Sequence, residues 1–272
     1  MRKRAITGFF FIIVMLGSVL LGHYVFGLFY LLLSLLCLRE FYGLIKQTGI
    51  KPSFVSGAIN AIYLYGVFAI ITYDGDDKIY HQLLFLLPVT LSAIFIQELF
   101  KKNADAPFSN IAYTYLGLIF IIVPFTFFHA LAYVSGVFNF HFPLAFLLML
   151  WANDTGAYLV GSKLGRIKLF ERHSPKKTWE GFIGGIIITA GAALLIGNYY
   201  TELTWQQWVW IGVLISCFGT MGDLTESMFK RSINVKDSGG ILPGHGGLLD
   251  RFDGLLMAAP IVYAYLYFIV NV

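Results

Sequence analysis

Charge is what this sequence has least of: only 12% of its 272 residues are Asp, Glu, Lys or Arg, about half the roughly 25% usual in soluble domains. With 58% hydrophobic and 17% aromatic residues, that shortage excludes an ordinary water-soluble fold and points to a bilayer. Cysteine is almost as scarce. Cys37 and Cys217 lie far apart in apolar stretches, without metal-ligand spacing, and read as small packing residues. No second histidine stands at zinc spacing from His245. The chain also lacks a soluble domain, a low-complexity linker, a clear repeat, and any nucleophilic Cys or Ser/His/Asp arrangement.

What the sequence has is long apolar runs. A hydrocarbon core about 30 Å thick takes roughly 20 helical residues to cross, and lipid leaves unpaired backbone no partners, so such runs must be helices. Nine candidates appear, near 5–22, 24–38, 54–72, 82–98, 111–134, 143–161, 181–199, 207–226 and 254–270. The expected fold is therefore an all-α polytopic membrane protein, a single membrane domain with about nine transmembrane helices. Residues 1–142 would form a scaffold expected to carry dimerisation, and 143–272 the catalytic half. The apolar run after MRKR exceeds a signal-peptide h-region, lacks an A-x-A site and is followed at once by another span, so it reads as a span.

With a cytoplasmic N-terminus, the inside segments are MRKR, a loop around Arg39 to Lys51, Lys101 and Lys102, the loop Lys163 to Lys177, and the 227–251 stretch. They hold 18 of the 19 Lys and Arg, leaving only Lys78 outside. This is the positive-inside pattern, and nine spans would then put the C-terminus outside. The YDGDDK loop, with Asp74, Asp76 and Asp77, falls outside too. Topology accounts for the net charge of +4, so no nucleic-acid partner is expected.

Two of the inside loops carry more than orientation needs. The first, DTGAYLVGSKLGRIKLFERHSPKKTWEGFIGG, begins with Asp154, about ten apolar residues after Pro143 and so well inside the bilayer. A carboxylate there costs about 2.5–3.5 kcal/mol on insertion scales and marks function by default. Six cations follow, including Lys176 and Lys177. Either Ser174 or Thr178 precedes a new helix, whose start favours anions. Gly181 and Gly185 fit small-residue helix packing.

The second is SMFKRSINVKDSGGILPGHGGLLDRFDG, residues 227–254. The span before it is short of apolar residues, which draws Asp223 and Glu226 toward the interface. On a helix, Asp223, Glu226, Ser227 and Lys230 form one polar stripe. Five glycines in the nine residues of GGILPGHGG permit close backbone approach to a ligand. Asp250 and Asp253 share a face at the next helix start, where an acid is either a dipole partner or, with Asp223, an oxygen ligand for a hard divalent cation. Carboxylates, lysines and glycine backbone suit metal-assisted phosphoryl or nucleotidyl transfer between a soluble polyphosphate and a lipid.

The 27 residues from Ser227 to Asp253 resemble the signature of phosphatidate cytidylyltransferases: S-x-F-K-R, four residues, K-D, then G-x-x-L-P-x-H-G-G-L-x-D-R-F-D. DTGAYLVG and SPKKTWEG extend the resemblance upstream. It covers about the C-terminal half in motifs and the whole chain in architecture. The resemblance implies a homodimer in the cytoplasmic membrane, its active site facing the cytoplasm, that converts CTP and phosphatidic acid to CDP-diacylglycerol and pyrophosphate with Mg²⁺ and room for a second cation. Carried onto matching positions, Asp223 and Asp250 would hold metal with Asp253 in support. Lys230, Arg231 and Lys236 would neutralise phosphates, and Lys176 and Lys177 would grip a substrate phosphate. Asp154, Ser174, Thr178, Ser227, Asp237, His245, Gly246, Gly247 and Arg251 would line the substrates.

A CTP-dependent polyisoprenoid or phytol kinase is the alternative, moving the γ-phosphate to an alcohol. DRFDG superficially suggests a CDP-alcohol phosphotransferase, but Met257 and Ala258 stand where that motif needs Ala-Arg. An ion-coupled transporter could use Asp154 and Asp223 but has no need of the lysine-rich glycine loop.

Overall fold

The computed structural model describes residues 2–73, 78–102, 105–235, 238–239 and 246–270, with side chains from residue 7 to 269 of these. Among them the chain forms nine helices: α1 (Arg2–Leu20), α2 (His23–Lys46), α3 (Phe54–Tyr73), α4 (Lys78–Leu99), α5 (Pro107–Leu131), α6 (His141–Leu164), α7 (Trp179–Tyr199), α8 (Trp205–Ser232) and α9 (Leu249–Val270). Eight of them, α2 to α9, are long and apolar enough to cross a membrane. The protein is thus an all-α polytopic membrane protein. Of the nine spans expected, α2 to α9 match eight; the first, expected near 5–22, falls on α1, whose described side chains form the shorter apolar stretch Thr7–Leu20. Which side each terminus faces then rests on charge distribution rather than on a count of crossings. The YDGDDK acids lie outside the described residues.

Boundaries differ from the sequence reading where charge or proline misleads. The loop expected from Arg39 is helical: α2 runs on to Lys46 and ends over Gln47 and Gly49, the latter at φ 87°. Arg39 and Glu40 therefore project from a membrane helix. In α4 a 3₁₀ turn at Leu84–Leu86 precedes Pro88, and in α5 a π turn at Leu118–Ile122 precedes Pro124. Proline has no N–H for the helical ladder, which is adjusted locally at both places.

The chain divides into two compact units. The first gathers residues 1–138 with the described residues of 237–249. Its centre is α2, which buries Phe26, Tyr30, Cys37, Phe41 and Tyr42. The Tyr42 hydroxyl donates to the Thr114 carbonyl on α5 at 2.6 Å, and its ring occupies the space that side chains at Gly57 and Gly117 would need. Cys37 is a free, buried thiol.

The second unit comprises residues 139–236 and 250–272. Helices α6 and α7 touch nearly backbone to backbone: a Cβ on Gly181 would meet the Ala157 carbonyl at 2.9 Å, one on Gly184 the Val160 Cβ at 2.5 Å, and one on Gly185 Asn153 Oδ1 at 2.6 Å. Small residues on facing helices allow this approach. Between the two helices the chain forms an antiparallel hairpin, β1 (Lys168–Phe170) with β2 (Ser174–Thr178), pairing Lys168 with Thr178. Glu180 fastens it by accepting the Arg166 N–H at 3.0 Å and the Ile167 N–H at 3.2 Å. Of the two helix-cap candidates, Thr178 caps α7, its Oγ1 accepting the Gly181 N–H at 3.2 Å. Ser174 lies in β2.

Gly184→Ala should cost about 1–3 kcal/mol, because the methyl group drives α7 off Val160. Gly191→Ala on the same helix, where nothing lies within 4 Å of the added Cβ, should be neutral or stabilising by about 0.4–1 kcal/mol. Thermal unfolding of both variants in one detergent checks the contrast, and equal behaviour would mean that α6 and α7 are not in backbone contact.

Candidate active site

Within the second unit a cavity of about 460 Å³ opens beside α6, the hairpin, α7 and α8. Asn153 and Asp154 come from α6, Lys176 and Lys177 from β2, and Thr220 and Asp223 from α8. The Thr178 cap turns the chain from β2 into α7, which places the two lysines at the start of that helix. Lys177 Nζ lies 2.6 Å from Asp223 Oδ2, and Ser227 donates to Asp223 Oδ1 at 3.3 Å. Asp154 feels the charges of Asp223, Lys177 and Arg251.

The stripe read from the sequence lies on α8. Four residues beyond Asp223, Ser227 touches it; four residues beyond Glu226, Lys230 does the same, with Nζ 2.5 Å from Glu226 Oε2 and 2.6 Å from Asp250 Oδ1 on α9. Glu226 is fully buried, and the Lys230 and Asp250 side chains are 12% and 13% exposed. Burying carboxylates is tolerable only with such a cation between them. Asp253, one turn beyond Asp250, accepts the Gly254 N–H at 2.6 Å and lies within electrostatic reach of Asp223, Glu226 and Asp154. Gly222 leaves room there, since a Cβ on it would strike the Asp253 carbonyl.

Thr178 lines the cavity, its hydroxyl engaged in the cap. Other expected residues stand apart from it. Ser174 is not part of its lining. Arg231 donates to the Val235 carbonyl at 3.1 Å just past the end of α8, and Arg251 is exposed in the first turn of α9. Gly246 adopts φ 82°, and Gly247 belongs to the first unit. Lys236, Asp237 and His245 lie outside the described residues. Glu226 was recognised in the stripe but assigned no role; sharing the Lys230 ammonium with Asp250 gives it one. Asn153, buried beside Asp154, carried no signal beyond that adjacency.

Among the described residues no three His, Cys, Asp or Glu side chains gather as a ready-made metal cage, so Asp223, Asp250 and Asp253 do not form one by themselves. The donor set still fits Mg²⁺, which takes one or two carboxylates plus substrate phosphates and keeps its waters. Asp154, Asp223, Glu226, Asp250 and Asp253 are five carboxyl groups set near Lys176, Lys177, Lys230 and Arg251, and supply oxygen donors of the kind a hard divalent ion takes.

Comparison with known proteins agrees with this chemistry. The sequence model of the cytidylyltransferase family matches residues 2–269. A phosphatidate cytidylyltransferase of Staphylococcus aureus (strain COL) is 35% identical over 264 residues, 96% of this chain and 97% of that protein. Proteins of the same name from Staphylococcus haemolyticus and Staphylococcus saprophyticus are 32% and 33% identical, again over 96% of this chain and 97% of theirs.

Replacing Lys230 with Met should destabilise the protein by about 3–5 kcal/mol, since Glu226 and Asp250 lose the cation they share. Adding Glu226→Gln should recover part of that loss by removing one of the two stranded charges. Thermal unfolding of the single and double variants provides the measurement; an unchanged melting temperature for Lys230→Met would show that the bridge is absent.

Proposed function

We propose, since the chain belongs to the cytidylyltransferase family, that it joins CTP to phosphatidic acid, giving CDP-diacylglycerol and pyrophosphate. The observation that carries this reading is the cavity itself, in which Lys176 and Lys177 face Asp154 and Asp223 within a helical membrane unit. Such a site offers cations to a polyphosphate and carboxylates to its metal, beside a bilayer that holds the lipid.

In this reaction an oxygen of the lipid phosphate attacks the α-phosphorus of CTP in line, and the bond from that phosphorus to the bridging oxygen of the β-phosphate breaks. Pyrophosphate departs with the electron pair. The attacking phosphate is already ionised at neutral pH, so no general base is needed, in keeping with a cavity lining that holds no histidine among the described residues. Bound Mg²⁺ would neutralise the polyphosphate; Asp223 and Asp250 would hold it, supported by Asp253. Lys177 grips Asp223 at 2.6 Å, so a cation at Asp223 would release this lysine to a phosphate. Lys176, exposed at the rim, would meet the nucleotide, while Lys230 keeps Asp250 in place.

The protein is an integral membrane protein. We place it in the cytoplasmic membrane with the site facing the cytoplasm, supported by the 18 of 19 basic residues on one side of the proposed topology. Assembly as a homodimer belongs to the same reading and rests on the family resemblance.

Purified protein given phosphatidic acid and CTP labelled separately at the α- and γ-phosphates should yield lipid carrying the α label, with pyrophosphate released. Transfer of the γ label to a lipid alcohol would instead identify a kinase. Asp250→Asn should lower turnover by orders of magnitude and abolish the rise in melting temperature that Mg²⁺ gives the wild type; near-normal turnover would reduce Asp250 to a partner of the helix dipole. Cysteines introduced at exposed Arg172 and Ser232 should react from the cytoplasmic side of sealed vesicles, and labelling of either only from the opposite side would overturn the orientation.

A further inference from the structure

Glu40 is a buried carboxylate on α2, 8% exposed, in the half of the chain that carries no motif of the reaction. Its Oε2 accepts the Leu249 N–H at 2.9 Å, from a residue 209 positions away at the first turn of α9. Described glycines on both flanks of the glycine loop lie against the same carboxylate. A Cβ on Gly247 would lie 2.8 Å from both Glu40 oxygens, and one on Gly239 would fall on Oε1 with the carboxyl carbon at 3.1 Å. Ser238 is buried beside them, its hydroxyl in the same space that a Cβ on Gly247 would need. Two glycines on opposite flanks of the loop and the helix start that follows it thus meet one side chain.

We propose that Glu40 is a positioning residue for the reaction: it anchors the described flanks of the loop, Ser238–Gly239 and Gly247–Leu249, and fixes the start of α9, and through it Asp250, the residue next in sequence. The inference rests on the reading of the chain as a cytidylyltransferase. A helix is usually capped by a Ser, Thr, Asp or Asn next to it in sequence, whereas α9 receives its acceptor from a different helix. A carboxylate within a membrane span is costly unless it has work and partners; here the free N–H and positive dipole end of α9 supply the partner. The two glycines are then required by close approach to the carboxylate.

Misplacing reacting groups by about 1 Å costs on the order of 10²-fold in rate. Glu40→Ala should therefore lower kcat about 10²-fold, with the KM for CTP little changed and the melting temperature close to that of the wild type. Glu40→Gln keeps the length and an acceptor oxygen, and should stay within about tenfold of the wild type. Gly239→Ala should imitate Glu40→Ala but add little to it, because contacting residues are non-additive. Hydrogen exchange of the full-length protein in nanodiscs supplies a readout independent of turnover: the Leu249 amide should be protected in the wild type and Gln variant and exposed in the Ala variant. Wild-type kcat in Glu40→Ala, loss in Glu40→Gln equal to that in Ala, or a fall in melting temperature that accounts for the lost activity would each overturn the proposal. A wild-type protein that forms no CDP-diacylglycerol would sink the assigned reaction, and the Leu249 exchange would then decide the anchoring by itself.

Discussion

The ammonium of Lys230, between Glu226 on its own helix and Asp250 on the next, is the contact that holds the buried acids of the second unit together. A fully buried Glu226 cannot remain charged without a cation in contact. The arrangement therefore keeps α8 and α9 together with Asp253 and Asp223 close by. A protein selected only for stability would do as well with apolar side chains of the same volume. Retaining three ionisable groups there makes sense if a cation and a polyanion are to be bound.

A second constraint sets the shape of the cavity. The glycines of α6 and α7 let these helices approach to backbone contact, and the hairpin that joins them folds back with Glu180 fastening its entry. Since Thr178 ends β2 and caps α7 at once, Lys176 and Lys177 cannot drift along the surface like ordinary interfacial lysines. They are delivered to the same space as Asp154 and Asp223 by backbone geometry rather than by charge attraction, so the cations remain in place when the carboxylates take up a different partner.

How legible this was follows the range of each interaction. The membrane class was written in composition, and the stripe on α8 could be read because Asp223, Ser227, Glu226 and Lys230 meet through helical spacing alone. The depth of Asp154 was visible from the apolar run before it. Signals that need two distant segments were not visible. Lys177 and Asp223 are 46 positions apart, and no periodicity joins them. Nor did SPKKT announce a strand: it looked like the approach to a helix, and only the turn back onto Lys168 makes it one edge of a hairpin. Glu40 was hidden for a related reason. Beside Arg39, at the end of an apolar run, it resembled the edge of a basic loop, and the helix that continues to Lys46 is what turns it into a buried acid.

These pieces share one logic, in which the buried charges of the site and Glu40 are held by oppositely charged side chains or by loop backbone. Lys177 and Asp223 hold each other across the cavity at 2.6 Å, an arrangement that shields both while neither substrate nor cation is bound. Were a metal to bind at the carboxylate and a phosphate at the ammonium, one close ion pair would be exchanged for two at similar total charge, and the site would fill without first exposing a bare charge to lipid. Lys230 differs because its two acids surround it and it is nearly excluded from solvent. An ammonium so enclosed is poorly placed to follow a departing pyrophosphate and well placed to fix the direction of Asp250. The two lysines, chemically identical and both set against carboxylates, are thereby separated by burial: Lys177 is 26% exposed at the cavity, and Lys230 is 12% exposed between two acids.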